Sequence, residues 1–136
     1  MISPELAVAL EAAGVLWTPT VGDRFTLHIP AFAGEVFTLS DMTVEPQGTA
    51  DARVLGFNGT TEWALDSVEL REALWLPRED QLRELLGDSF VRLERSADSF
   101  TVTLADSVDP ARPGHYTEAD AADAYARALL ARLEDP

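Results

Sequence analysis

The chain contains no cysteine, which excludes disulfides, thiolate metal sites, iron–sulfur clusters and thiol nucleophiles. It contains no lysine either, because all ten basic residues are arginine, and Schiff-base catalysis by a lysine amine is therefore excluded. No window approaches the roughly 18 consecutive apolar residues of a transmembrane helix. The opening segment MISPELAVALEAAG has acidic residues and no basic one, unlike a secretory signal. We therefore expect a cytoplasmic protein, with which the lack of cysteine agrees.

Negative charge dominates the composition. The 136 residues include 24 acidic and 10 basic side chains, which gives a net charge of −14. Because binding to nucleic acid phosphates and to anionic membranes depends on Lys and Arg, neither partner is expected. An acidic protein can also act as a mimic of DNA. The acids here are spread along the chain and interspersed with arginines, which disfavours that function. The remaining partner class is another protein, or a second copy of this chain.

Three segments carry helix signals. Ser3 can cap the first helix, Pro4 fits its first position and Gly14 its end, with Leu6, Leu10 and Ala13 on one face. The segment PREDQLRELLG, from Pro77 to Gly87, predicts a second helix with Leu82, Leu85 and Leu86 on its apolar face. A third helix is predicted to begin at Thr117, with Asp120 three residues on. Its inward residues would be Ala122, Tyr125, Leu129 and Leu133.

Several segments are typical of β-strands joined by short turns. RFTLHI (24–29) alternates apolar and polar residues, and EVFTLS (35–40) and MTVE (42–45) follow. FVRLERS (90–96) and FTVTL (100–104) predict a hairpin. Asn58-Gly59 predicts another hairpin, with Val54 facing Trp63 and Leu55 facing Glu62. Residues 66–74 fit two alternatives, a helix capped by Asp66 or a short buried strand at ALWL.

This order of elements predicts an α+β fold. Strands joined by short turns favour a mainly antiparallel sheet, on which the N-terminal, central and C-terminal helices pack. The length fits one compact domain over 1–136.

The sequence contains no motif typical of a catalytic, metal-binding or phosphate-binding site. His28 and His115 lie far apart and lack a partner at helical spacing, so we interpret both as exposed surface histidines. No nucleophile motif or phosphate-binding loop is present. We predict no catalytic, cofactor-binding or metal-binding residue. Glu62 and Asp66 could point to one side of a strand, which leaves open a small-molecule-binding or hydrolytic site on an open sheet face.

Recognition residues are the stronger candidates. Trp17, Trp63 and Trp75 are large residues that either pack in the core or at its rim or form part of an interface, since protein interfaces favour Trp and Arg. Arg78 occupies a position where Ser, Thr or Asp usually caps a helix, and a cation there opposes the helix dipole. Either a neighbouring acid such as Glu79 compensates the charge of Arg78, or Arg78 binds an anionic partner. The candidate protein-interaction residues are Trp63, Trp75, Arg78 and Glu79.

The chain resembles a group of short uncharacterised bacterial proteins from high-GC organisms. The segments that carry the likeness are FTLSDMTVE, GFNGTTEWALDSV and EALWLPREDQLRELLG, so it covers most of the chain. Some members carry a pilus-assembly label, although this chain has no P-loop or receiver-type aspartate pattern. A looser likeness joins ELAVALEAAG, LPREDQLRELL and TEADAADAYARALL to small phage and bacterial proteins of unknown function. The resemblance implies a compact accessory domain and supplies no active-site residue.

The sequence therefore predicts a non-enzymatic, acidic interaction or accessory module without a cofactor. The alternatives left open are the small-molecule or hydrolytic site and the DNA mimic.

Overall fold

The computed structural model describes residues 1–28, 34–39, 44–46, 53–56, 67–69, 72–105 and 114–134. The chain divides into two compact units. Unit 1 combines Met1–Val15 with Pro77–Pro136, and unit 2 is Leu16–Leu76. The prediction of one domain stays a prediction.

The described part of unit 1 holds three helices and one sheet. The helices are α1 (Pro4–Ala12), α2 (Glu79–Leu86) and α3 (Ala121–Glu134). Strands β7 (Phe90–Arg95), β8 (Phe100–Leu104) and β9 (Gly114–Glu118) pair antiparallel in that order.

The described part of unit 2 holds two three-stranded sheets. The strands are β1 (Arg24–Leu27), β2 (Phe37–Thr38), β3 (Val44–Pro46), β4 (Arg53–Gly56), β5 (Ser67–Glu69) and β6 (Ala73–Leu76). The first sheet has the order β2-β1-β6 and the second the order β3-β4-β5, and every pairing is antiparallel. Helices with antiparallel sheets make this an α+β protein, as the sequence predicted.

Helix α3 lies at the centre of unit 1. It packs on β8 and β9, and α1 and α2 both pack against it. Val102 is fully buried, and Phe90 contacts Tyr125 of α3 with ring centroids 5.6 Å apart. Much of the helix surface buried in these contacts is alanine: Ala121, Ala122, Ala124, Ala126 and Ala128. These short side chains let neighbouring backbones approach closely.

The ends of α1 and α2 follow the predicted local signals. Ser3 Oγ accepts a hydrogen bond of 3.4 Å from the backbone N–H of Leu6, and Pro4 occupies the first turn of α1. Helix α2 ends at Leu86 and is followed by a 3-10 turn, Gly87–Ser89, whose Gly87 has a φ of 57°, a conformation that L side chains rarely adopt. Leu6 and Leu10 are buried as predicted, but Ala13 lies beyond the helix and is exposed.

The predicted apolar face of α2 is wrong at one position. Leu82 and Leu86 are 0% and 1% exposed, whereas Leu85 is 44% exposed. Successive helical residues are rotated by about 100°, so Leu82 and Leu86 share a narrow stripe while Leu85 falls at its margin. Because the buried stripe of this short helix is narrow, Leu85 stays in contact with solvent.

The predicted start of the C-terminal helix is also wrong. Thr117 lies in β9, where its hydroxyl is 2.7 Å from that of Thr101, and α3 begins at Ala121. Pairing of β9 with β8 therefore outweighs the capping signal at Thr117. The residue that caps α3 is Asp120, whose Oδ1 accepts backbone hydrogen bonds from the first turn. Leu133, expected to face inward, is 42% exposed.

Asp120 also fixes the start of the chain. Its Oδ2 lies 2.9 Å from the N-terminal ammonium of Met1, and the N–H of Ser3 donates to Asp123 Oδ1 at 2.7 Å. Burial raises the pKa of Asp120, but the Met1 ammonium and the backbone N–H groups of Ala122 and Asp123 outweigh it. The net effect holds the pKa of Asp120 below its usual value.

The predicted strands are confirmed in part. Strand β1 shows the predicted alternation, with Phe25 and Leu27 buried, and ALWL forms β6 as the strand interpretation expected. The hairpin register is wrong, because Val54 pairs with Glu69 and Leu55 with Val68. A two-residue turn signal is local, whereas register depends on pairing along the whole strand. Asn58-Gly59 itself lies outside the described residues.

Truncation of the buried leucines of α2 is expected to destabilise the protein. Leu82→Ala or Leu86→Ala should lower the free energy of unfolding by about 2–5 kcal/mol, because each leaves a cavity in a buried site. Leu85→Ala is the matched control on the same helix and should cost less than about 1 kcal/mol. Chemical denaturation measures all three, and equal losses would contradict the assigned orientation of α2.

Acid is expected to weaken the contacts of Asp120. A group with a lowered folded-state pKa stabilises the protein above its unfolded pKa and loses that contribution as pH falls through the folded pKa. Stability measured below about pH 4 should therefore fall less steeply in Asp120→Asn, which keeps a capping oxygen, than in the wild type. Asp120→Ala removes the cap as well and should cost about 0.5–2 kcal/mol at neutral pH. Parallel wild-type and Asp120→Asn acid curves would refute this coupling.

Candidate interaction surface

The first sheet of unit 2 aligns three aromatic side chains. Phe25 of β1 is directly opposite Phe37 of β2 on one side and Trp75 of β6 on the other. Directly opposite residues in neighbouring strands project from the same face of a sheet. The Phe25 and Phe37 rings stack with centroids 5.6 Å apart. The alternation of β1 thus produces an aromatic row across all three strands.

Trp17 adds a second layer to this row. Its ring is nearly parallel to that of Trp75, at 7° and 6.3 Å between centroids, and lies 5.6 Å from the ring of Phe25. Parallel displaced and tilted arrangements are those that aromatic quadrupoles favour. We call Trp17, Phe25, Phe37 and Trp75 the aromatic cluster.

A buried carboxylate holds Trp17 in place. Oδ2 of Asp23 accepts hydrogen bonds from Trp17 Nε1 at 2.9 Å and from the backbone N–H of Thr20 at 3.0 Å. The segment from Thr20 to Asp23 is a turn closed by a 3.0 Å backbone hydrogen bond, with Gly22 at a φ of 97°. Asp23 is only 2% exposed. The turn therefore carries the acceptor that fixes the Trp17 indole.

Part of the aromatic cluster remains exposed. Phe25 is fully buried, whereas Trp17, Phe37 and Trp75 are each half-buried. The neighbouring aliphatic residue Leu16 is 85% exposed. The cluster thus combines a buried anchor with indole and phenyl surface that solvent reaches.

Among the residues that the structure describes, none accepts a hydrogen bond from the indole N–H of Trp75. The Nε1 atom is itself buried. A buried donor without an acceptor costs about 1–3 kcal/mol. The buried indole N–H of Trp75 therefore lowers the stability of the fold. The N–H of Trp17, by contrast, donates to Asp23.

Arg78 is the residue before the first turn of α2 in unit 1. Its Nε donates to Oδ1 of Asp80 at 3.1 Å, and its backbone N–H donates to Oε1 of Gln81 at 2.9 Å. Compensation by a neighbouring acid is therefore observed, with Asp80 as a compensating acid. The hydrogen bond from the Arg78 side chain lowers the pKa of Asp80.

The remaining predicted interaction residues are Glu79 and Trp63. Glu79 is exposed in the first turn of α2, in unit 1. Trp63 lies outside the described residues, as do Glu62 and Asp66 of the alternative catalytic site. Among the described residues of unit 2, Trp75 is the predicted interaction residue that belongs to the cluster.

The two histidines are exposed, as predicted. His115 of β9 has its Nδ1 3.1 Å from the hydroxyl of Thr103, which lies beside it in the sheet. Within the part of the chain that the structure describes, no group of three or more His, Cys, Asp or Glu side chains could hold a metal ion.

The sequence prediction missed the roles of Asp23 and Phe37 and the contact between Trp17 and Trp75. The available signal for Asp23 was its place directly after a Val-Gly turn and before an alternating strand, where Asp commonly accepts local backbone N–H groups. The pairing of Trp17 with Trp75 joins residues 58 positions apart, and no local pattern predicts such a contact.

Comparison with known proteins gave no match, whether to family models, to curated proteins or to solved structures. The resemblance seen in the sequence stays a prediction. Among the described helices, none has both the length and the apolar composition needed to cross a membrane.

Loss of the Asp23 carboxylate is expected to release Trp17. Asp23→Ala leaves the Trp17 indole and the Thr20 N–H without their acceptor, so the free energy of unfolding should fall by about 1.5–3 kcal/mol. Asp23→Asn keeps one acceptor oxygen and should cost less. Denaturant titration monitored by tryptophan fluorescence measures both variants. An Asp23→Ala protein as stable as the wild type would show that these bonds do not support the turn.

Proposed function

We propose that this protein is a non-enzymatic interaction module that binds another protein through the aromatic cluster of unit 2. The observation that carries the proposal is the stacked Trp17–Trp75 pair, which is half-buried and held in place by buried Asp23. Trp is among the residues that dominate binding energy at protein interfaces.

Rigidity supports a binding role for this pair. An exposed side chain that must be ordered on binding costs about 0.5–1.5 kcal/mol of conformational entropy. Trp17 is already fixed by its hydrogen bond to Asp23 and by stacking on Trp75 and Phe25. A partner therefore meets an aromatic surface whose ordering is largely complete before contact.

The unsatisfied N–H of Trp75 supports the same proposal. If packing were its only role, phenylalanine would fill the aromatic row without burying a donor that lacks an acceptor. The retained indole offers a larger surface for contact, and Trp is the strongest of the aromatic residues in recognition. A function in binding accounts for a residue that the fold alone does not favour.

The proposed partner is a protein of the cytoplasm. The net charge of −14 disfavours nucleic acid and anionic membranes as partners. A second copy of the chain is the other occupant considered. Trp63, Arg78 and Glu79 stay predicted contacts, and the proposal does not depend on them.

A pull-down from the lysate of the native host, with the full chain as bait, tests the proposal. We expect one stoichiometric protein partner, whose affinity for the purified chain falls at least about tenfold with Trp75→Ala. Leu133→Ala is the control, because Leu133 is an exposed aliphatic residue of unit 1. The affinity of the Leu133→Ala variant for the partner should match that of the wild type. Arg78→Glu, run beside them, tests whether α2 contributes.

Stability must be measured on the same variants. Trp75→Phe should change the free energy of unfolding by less than about 1 kcal/mol, because the lost indole contacts are offset by removal of the unsatisfied N–H. Reduced binding by this folded variant separates recognition from stability. A wild-type chain that captures no protein and stays monomeric at high concentration would refute the proposal.

A further inference from the structure

Building on the proposed function, we infer that the aromatic cluster binds an arginine-bearing, cationic segment of the partner protein. The inference names the chemistry of the partner, which the interaction proposal leaves open. It rests on the charge of unit 2, on the electronic environment of the Trp17 indole and on the stacked geometry of the two tryptophans.

The charge of unit 2 favours a cation. Residues 16–76 include nine acidic side chains and three arginines, a net charge of −6 in 61 residues. Glu35, two residues before Phe37, is exposed. Arg24 is paired with Leu76 and Thr38, so it projects from the opposite face of the sheet to Phe25 and Trp75. A cationic segment that reaches the aromatic row is attracted by the charge of this unit.

The buried carboxylate strengthens this preference. Trp17 donates its indole N–H to Asp23, and a hydrogen bond to a carboxylate polarises the donor ring toward greater electron density. The face of an aromatic ring is already its negative region, and Trp is the best cation–π acceptor among the side chains. The Asp23–Trp17 hydrogen bond therefore makes the indole face a better site for a cation than for a neutral apolar group.

The stacked geometry favours arginine over lysine. The Trp17 and Trp75 rings are within 7° of parallel, with centroids 6.3 Å apart, and both side chains are half-buried, so a flat group can extend the existing stack. A guanidinium group is planar and more weakly hydrated than an ammonium group, and it stacks on aromatic faces. Lysine presents a compact, strongly hydrated charge that gains less from such a surface. We therefore expect guanidinium to be the preferred cation.

Titration of the full-length protein with matched peptides tests this inference. The probe is a short Gly-Ser peptide that carries three arginines, and the comparison peptides carry lysine or citrulline at the same places. Citrulline keeps the planar shape of arginine and lacks its charge. The readout is the indole N–H signal of each tryptophan in nitrogen–proton correlation spectra, assigned with single Trp→Phe variants.

The expected result is a shift of the Trp17 and Trp75 indole signals by the arginine peptide, with an affinity about three- to tenfold higher than that of the lysine peptide. The citrulline peptide should produce no comparable shift. Trp75→Leu should reduce the ratio of arginine to lysine affinity to near one. Trp75→Phe keeps a ring in the row and provides a second, milder variant should the first fail to fold.

A control separates this site from general charge attraction. Glu84→Gln removes one exposed charge from α2 in unit 1 and should weaken both cationic peptides equally, so that the ratio of their affinities is unchanged. Equal responses to arginine and lysine in the wild type, or a preference that survives Trp75→Leu in a folded protein, would overturn the inference. So would a shift caused by citrulline to the same extent.

The failure of this inference is distinguishable from failure of the proposed function. If the peptides do not act on Trp17 and Trp75 but the pull-down still yields a partner that depends on Trp75, the cationic partner is refuted and the interaction module stands. If neither the peptides nor the lysate give a Trp75-dependent complex, both proposals fall.

Discussion

The buried carboxylate of Asp23 is the constraint on which the aromatic surface of unit 2 depends. One oxygen accepts from both a backbone N–H of the preceding turn and the indole of Trp17. Asp23 thereby links the turn that precedes it, the start of β1 and the indole of Trp17, which lies six residues upstream. Without it, Trp17 would retain stacking contacts but would lose the directional bond that fixes its ring.

The proposed function assigns stability and recognition to different members of the aromatic cluster. Phe25 is fully buried between its neighbours in the first sheet and serves the core. Trp75, in the adjacent strand, is half-buried and carries a donor that nothing described in the fold satisfies. Natural proteins tolerate such local conflicts at functional positions, where binding rather than packing determines the residue. This contrast is the physical basis for assigning a binding role to Trp75.

The features predicted correctly from the sequence are those that depend on neighbours along the chain. Ser3 and Pro4 start α1, Gly87 ends α2, and the alternation from Arg24 to Leu27 produces a half-buried strand, since each signal acts within one turn or one strand. These local rules sufficed for the fold class and for most elements of unit 1.

The features that the sequence did not predict depend on contacts between distant segments. The register of β4 with β5 differs from the one predicted from Asn58-Gly59, and α3 begins only at Ala121, after β9 has paired with β8. The candidate surface is of the same kind. Trp75 was recognised as a candidate by residue type, but its partner Trp17 and the supporting Asp23 are specified by tertiary pairing, which no local pattern encodes.

The alanines of α3 have a consequence for how this protein tolerates change. Helix α3 contacts β8, β9, α1 and α2, and much of its buried surface is made of methyl groups. A larger side chain at such a position forces a helix or strand outward. Glycine there weakens the helix by about 0.5–1 kcal/mol relative to alanine. Unit 1 should therefore tolerate substitution least where its buried side chains are smallest. Small residues thus set the spacing between the elements of unit 1, while larger residues such as Leu129 have alternatives of similar shape.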